Sequence, residues 1–205
     1  MKEQNIEILK RGGVGVAPTD TIYGLLGLAL NKKTVERIYQ VRKRQPDKPL
    51  IILIQNLEDL KLFGIKLDTK TTEILNQYWP GKVSVVLPIS SKKMGLDSRL
   101  RGNDTRGGQF AYLHRGTNTL AFRLPKNKQL QKLLKETGTL VAPSANLEGQ
   151  PPAKNITEAK KYFKNQIDFY QSGKITSSQP STLIKIDGNK ITILRAGAIK
   201  IKTNK

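Results

Sequence analysis

Residues 14–25 read Val14-Gly15-Val16-Ala17-Pro18-Thr19-Asp20-Thr21-Ile22-Tyr23-Gly24-Leu25. The apolar run from Val14 to Ala17 predicts a buried strand. Pro18 stops it, because proline cannot donate to a sheet ladder. Thr19-Asp20-Thr21 then crowds polar groups at the end of that strand, where each costs free energy unless something bonds it. One reading is a turn whose Thr and Asp cap a following helix. The other is a ligand, since open α/β sheets place their sites at strand ends. The stretch by itself supports both.

Working outward, residues 2–11 predict a short amphipathic helix with Ile6 and Leu9 inward, ended by Gly12-Gly13. Asn31 reads as the cap of a helix from Lys33 to Lys43, whose Val35, Ile38, Tyr39 and Val41 suit packing on a sheet. Leu50 to Ile54 is a continuous apolar run, expected as a central strand buried on both faces. Helices are expected over Leu57–Phe63 and Thr69–Trp79, the second broken by Pro80-Gly81. Strands follow at Val83–Leu87 and Leu120–Leu124, a helix at Gln129–Glu136, and a strand at Leu140–Ala142. A helix is expected over Thr157–Lys164 and strands over Ile167–Tyr170, Leu183–Ile186 and Ile191–Leu194. Asp187-Gly188-Asn189 turns between the last two. Strands and helices mix without strict βαβ alternation. The expected fold is therefore α/β, a twisted, mixed open sheet with helices on its faces, closed by an antiparallel hairpin.

The 205 residues suit one domain, placed at 1–200, with a basic tail at 201–205. A Gly/Arg-rich basic stretch at about 91–116 has no apolar period and is expected as an insertion. The single histidine, His114, lies near its end and is expected as an exposed surface residue. With no cysteine, disulfides, thiolate metal sites and thiol nucleophiles are excluded. No signal-peptide pattern and no bilayer-length apolar run is present, so a cytoplasmic protein without membrane contact is expected. The formal net charge of +20 points to anionic partners such as nucleotides or RNA, with a lysine-rich solvated surface as the bland alternative.

The usual catalytic patterns are missing: no G-x-S-x-G elbow, no H-E-x-x-H, no P-loop. What remains are polar and cationic groups at strand ends. These are Thr19 and Thr21; Arg42-Lys43-Arg44 before Pro49; Arg123 inside an apolar strand; Ser144 and Asn146 after Pro143; Ser181; and Arg195. A buried arginine needs an anion, either a protein carboxylate or a substrate one. Clustered Arg and Lys can clamp a polyphosphate, although cations at a helix C-terminus also simply satisfy its dipole. The inventory suits a polyanion together with a small carboxylate.

In this order, Pro18-Thr19-Asp20-Thr21-Ile22-Tyr23-Gly24-Leu25, Arg42-x-Arg44 with Pro49-Leu50, Trp79-Pro80-Gly81, Ala121-Phe122-Arg123-Leu124-Pro125, Pro143-Ser144-Ala145-Asn146 with Gly149, Pro180-Ser181-Thr182 and Leu194-Arg195-x-Gly197 resemble the YrdC-like family. The resemblance spans the chain apart from the 91–116 stretch and the tail, and is to the short, single-domain type. It implies a twisted open sheet around a positively charged cavity. It implies an L-threonylcarbamoyladenylate synthase that condenses L-threonine, bicarbonate and ATP, with Mg²⁺ carried on the ATP and no protein metal ligand. A threonylcarbamoyl transferase complex would use the product to modify tRNA. Thr21, Arg123 and Ser181 are implied at the threonine or carboxylate end. Arg42, Lys43, Arg44, Ser144, Asn146 and Arg195 are implied at the ATP end. No residue is implied as nucleophile or general acid/base.

Three motifs depart from the family pattern. Lys-x-Arg-Pro reads Arg42-Lys43-Arg44-Gln45, so either Arg42 or Lys43 takes the lysine's role. Pro-Gly-Pro-x-Thr reads Pro80-Gly81-Lys82-Val83-Ser84. Asn-x-Ser-Gly reads Asn146-Leu147-Glu148-Gly149, which sets a negative charge beside an expected phosphate site. Two rivals stand beside the synthase: a non-catalytic RNA-binding YrdC-like protein, and a carbamoyl-adenylate-forming enzyme of hydrogenase maturation, whose additional parts this sequence lacks.

Overall fold

In the computed structural model, which describes residues 1–89, 108–188 and 190–201, neighbouring residues of the central strands turn to opposite cores. Leu25 and Ile52 pack in one, Leu26 and Leu53 in the other. This alternation is what a sheet covered on both faces requires. The strands are β1 (Gly15–Pro18), β2 (Tyr23–Leu28), β3 (Ile51–Leu53), β4 (Val83–Pro88), β5 (Thr119–Arg123), β6 (Leu140–Val141), β7 (Phe169–Tyr170), β8 (Thr182–Asp187) and β9 (Lys190–Arg195). They form one mixed sheet in the order β7-β1-β2-β6-β3-β5-β4-β8-β9, with β3 at its middle. β3 runs parallel to β5, and β4 parallel to β8; the β1–β2, β4–β5 and β8–β9 pairs are antiparallel. The expected mixed sheet and closing hairpin are both present.

Helices α1 (Glu3–Lys10) and α5 (Lys128–Thr137) cover one face through Ile6, Leu9, Leu130, Leu133 and Leu134. On the other lie α2 (Lys32–Arg42), α3 (Thr69–Tyr78), α4 (Ala111–His114), α6 (Ile156–Phe163) and a 3-10 turn over Leu57–Phe63. Asparagine and aspartate caps start most of them: Asn31, Asn56, Asp68, Asn127 and Asn155 each accept a backbone N–H of the first turn. The Leu57–Phe63 segment, expected as a helix, is of the 3-10 kind, starting after the Asn56 cap and ending at Gly64 in the left-handed conformation.

Three expectations are corrected. First, no helix follows Thr19-Asp20-Thr21; the chain turns straight back as β2, and Thr19 N–H bonds the Ile22 carbonyl at 3.1 Å. The Tyr23–Leu28 run escaped as a strand because two glycines interrupt it. Gly27 is required by close approach: a Cβ there would meet Thr34 Cγ2 of α2 at 2.4 Å. Second, residues 108–116 do not stand apart. Phe110 packs on Phe63, which in turn packs on Phe122, with ring centroids 5.4 and 5.1 Å apart. Leu113 is buried, Arg115 lies 3.9 Å from the Tyr39 ring centre, and it pairs with Glu36. The rest of the expected insertion, and tail residues 202–205, lie outside the described residues. Third, His114 is 2 % exposed, and its Nδ1 accepts the Gly116 N–H.

If residues 108–116 are core, Leu113→Ala should cost about 2–4 kcal/mol of stability, read as a lower urea midpoint. An unchanged midpoint would mean that α4 only rests on the surface.

Candidate active site

The β1–β2 turn divides its hydroxyls. Thr19 Oγ1 donates to the Ile22 carbonyl at 2.8 Å and so closes the turn. Thr21 Oγ1 instead accepts Arg123 Nη1 at 3.1 Å. Arg123 ends β5, beside Leu53 of β3 in the register, and is 3 % exposed. Its Nη2 stands 3.1 Å from Asp20 Oδ1. The contact is ionic rather than a formed hydrogen bond: neither Asp20 oxygen nor Arg123 Nε has a hydrogen-bond partner among the described residues. Burial lowers the Arg123 pKa, and the Asp20 charge opposes that. In this state the anion that a mid-strand arginine demands is thus a protein carboxylate.

A second group forms where α2 ends. Arg42 Nε donates to the Asn146 carbonyl at 3.1 Å, and Nη2 to Asn146 Oδ1 at 3.0 Å and Ser144 Oγ at 3.3 Å. Asn146 is fixed in turn through its amide, which donates to the Leu147 and Gln150 carbonyls. Arg42 Nη1 is buried without a partner. Burial, and then the charge of Arg44, bring the Arg42 pKa down to about 10. Arg44 hangs from its own turn, Nε to the Lys48 carbonyl at 3.0 Å and Nη2 to the Pro49 carbonyl at 3.2 Å. Lys43 caps α2 in the left-handed conformation, with φ +50°, and is exposed.

The third group lies where β8 begins beside β4. Ser84 Oγ and Ser181 Oγ share a hydrogen bond of 2.8 Å, both buried. Arg195 Nη2 donates to the Ser181 carbonyl at 2.7 Å. Burial lowers the Arg195 pKa, and the charges of Arg123 and Arg44 add to it.

These groups meet around one cavity of about 360 Å³. Arg42, Arg44, Arg123 and Arg195 line it, with the hydroxyl residues Thr21, Ser144 and Ser181. Lys43 and Asn146 lie outside the lining; Asn146 stands behind Arg42 and holds it. No carboxylate residue, histidine or cysteine lines it among the described residues. Nor do the described residues bring three or more His, Cys, Asp or Glu together in a metal-binding group. The lining therefore suits binding of anions, and its Arg–Arg repulsion is relieved when an anion arrives.

Sequence reasoning missed the partners that Asp20, Lys82 and Glu148 find in the fold. Asp20 was visible between the two threonines, but its partner Arg123 is 103 positions away and only the fold joins them. Lys82 donates to the Thr176 carbonyl at 3.1 Å, while Thr176 Oγ1 donates to the Asp20 carbonyl at 2.6 Å. With Tyr23 OH donating to the Gly173 carbonyl, these bonds strap residues 173–177 across the Thr19–Thr21 turn. Glu148, expected as a negative charge beside a phosphate site, pairs with Lys48 and lies outside the cavity lining.

A family model for Sua5/YciO/YrdC, described as "Telomere recombination", matches residues 7–197. Among curated relatives, a putative threonylcarbamoyl-AMP synthase of Methanocaldococcus jannaschii is 26% identical over 206 aligned positions, covering 98% of this chain and 89% of that protein. The threonylcarbamoyl-AMP synthase of Bacillus subtilis is 28% identical, over 96% of this chain and 53% of its own length. Among solved structures, Pyrococcus abyssi Sua5 complexed with L-threonine is 26% identical, with a TM-score of 0.79 over 95% of this chain and 53% of that one. The chain thus spans most of the first relative and about half of the other two.

The Asp20–Arg123 contact makes its own prediction. Asp20→Asn should remove about 3 kcal/mol of stability by leaving a buried cation uncompensated. Combining it with Arg123→Met should recover part of that loss in a double-mutant cycle. Equal urea midpoints for the wild type and Asp20→Asn would show that the pair carries no weight.

Proposed function

We propose that this chain, which belongs to the Sua5/YciO/YrdC family, is an L-threonylcarbamoyladenylate synthase. It would condense L-threonine, bicarbonate and ATP to threonylcarbamoyl-AMP, pyrophosphate and water, supplying tRNA threonylcarbamoyladenosine modification. The carrying observation is the convergence of Arg42, Arg44, Arg123 and Arg195 with Thr21, Ser144 and Ser181 on one cavity at the strand ends. The names of the M. jannaschii and B. subtilis relatives, and the threonine in the P. abyssi structure, support the same reading.

In this reading the threonine amine and bicarbonate first form an N-carboxylate with loss of water. A carboxylate oxygen then attacks the α-phosphorus of ATP, and the bond to the β-phosphate oxygen breaks to release pyrophosphate. The chain's contribution is to hold two anions against their repulsion and to keep water from a labile mixed anhydride. Arg44 and Arg42 take the phosphates. Arg42 already lines the cavity and keeps one unpartnered Nη1, which favours it over the exposed Lys43 for the family lysine's role. Ser144 faces the nucleotide, with Asn146 behind it. Arg195 takes the adenylate. Thr21, Arg123 and Ser181 form the amino-acid end. There the threonine carboxylate would share Arg123 with Asp20, using the unbonded Nε. Mg²⁺ would enter as part of the MgATP substrate.

The product would pass to a threonylcarbamoyl transferase complex, in the cytoplasm, and the +20 charge would serve contact with tRNA. No helix among the described residues is long and apolar enough to cross a membrane.

The deciding experiment is pyrophosphate release from ATP with L-threonine and bicarbonate. Arg44→Ala should lower kcat/KM by about a hundredfold or more with an unchanged far-UV spectrum and Tm. Normal turnover in that variant would refute the assignment. RNA affinity that falls steeply with salt, beside a failure to bind ATP, would select the non-catalytic reading instead.

A further inference from the structure

We infer that Glu148 is a positioning residue for the nucleotide: its carboxylate ties down the turn from Arg44 to Pro49 and so holds Arg44 at the cavity wall. The inference rests on the reading that the cavity takes ATP. It concerns a position where the family pattern has serine.

The contacts form a closed ring. Glu148 Oε2 accepts the Gln45 N–H at 2.5 Å, and Oε1 holds Lys48 Nζ at 2.5 Å. Lys48 presents its carbonyl to Arg44 Nε at 3.0 Å. The backbone closes the circuit, with Glu148 N–H donating to the Arg42 carbonyl at 2.9 Å. One carboxylate therefore grips both ends of the turn from which Arg44 reaches the cavity. Charge-assisted bonds of this kind are the stronger ones, although the Lys48 ammonium is half-exposed and adds less. Its bonds to Lys48 and to the Gln45 N–H hold Glu148 below the ordinary carboxylate range, so it is charged at neutral pH.

Two departures from the family pattern face each other in this ring. A proline at 45 would restrict the backbone of Arg44 before it. It would also have no N–H to offer a carboxylate. Gln45 gives up that restriction and supplies the N–H; Glu148 supplies the acceptor. The tether does by hydrogen bonding what a proline does by covalent geometry. Lys48 meanwhile neutralises the charge that would otherwise repel a triphosphate.

The test uses the full chain and two readouts. Amide exchange at Gln45 is followed by NMR, and ATP and L-threonine binding are each measured by calorimetry. Glu148→Ser should speed Gln45 exchange and weaken ATP binding about fivefold, leaving threonine affinity unchanged. Gln45→Pro combined with Glu148→Ser should return ATP affinity toward the wild-type value. Unchanged Gln45 exchange, unchanged ATP affinity, or equal loss of ATP and threonine affinity would each overturn the inference. A wild-type chain that binds no ATP would overturn the synthase reading and this inference with it. Wild-type binding that Glu148→Ser leaves untouched would overturn the inference alone.

Discussion

Guanidinium groups repel one another, and burial removes the water that would screen them. Four such groups line one cavity here, while Asp20 is the only carboxylate residue buried among the described residues. The arrangement survives because each arginine is held by the frame as well as by charge. Arg42 is locked to Asn146 and Ser144, Arg44 to the Lys48 and Pro49 carbonyls, Arg195 to Ser181 and Arg123 to Thr21. Those partners are neutral oxygens, and Arg123 alone of the four also has a carboxylate, that of Asp20, beside it. The neutral oxygens orient the cations without cancelling them, which leaves positive charge for an incoming anion. Burial first, and the charges of neighbouring arginines second, lower the pKa values of Arg42 and Arg195.

The sheet makes the frame possible. Parallel pairing of β3 with β5, and of β4 with β8, brings several strand ends to one side of the molecule. The β1–β2 turn and the segment after β6 arrive beside them, with Ser144 bridged to Gly24. Side chains distant in sequence then converge because strand length, not loop flexibility, fixes their positions.

Most of this frame was legible. Apolar runs ended by proline announced β1, β5 and β6, and asparagine before a periodic segment announced α2. Where the reading failed, the cause was tertiary. Gly24 and Gly27 look like strand breakers, yet Gly27 is there to let α2 approach β2. Phe110 and Leu113 sit in a stretch otherwise rich in glycine and arginine, so their apolar character was diluted below recognition. His114 followed the same fate. Of the expected site residues, Thr21, Arg42, Arg44, Arg123, Ser144, Ser181 and Arg195 reach the cavity, whereas Lys43 and Asn146 do not. The alternation of helix faces explains the difference at Lys43: Arg42 turns into the core, and the next residue, at the left-handed cap, turns out. Asp20 could not be assigned a partner without the fold.

Three of the departures from the family pattern, Lys82, Gln45 and Glu148, have a common physical character. Lys82 reaches the Thr176 carbonyl, Gln45 offers an N–H to Glu148, and Glu148 is matched by Lys48. Lys82, Gln45 and Glu148 all stay off the cavity lining. Each secures backbone next to an element that presents a cation or a hydroxyl: the 173–177 strap over Thr21 in one case, the turn bearing Arg44 in the others. A polar residue in place of proline or serine gives up rigidity or compactness, and a hydrogen bond across to a neighbouring segment restores it. Such exchanges are tolerated at the rim because the backbone has several ways to be held there. At the wall itself the requirement is for positive charge in a fixed direction, which Arg42, Arg44, Arg123 and Arg195 supply.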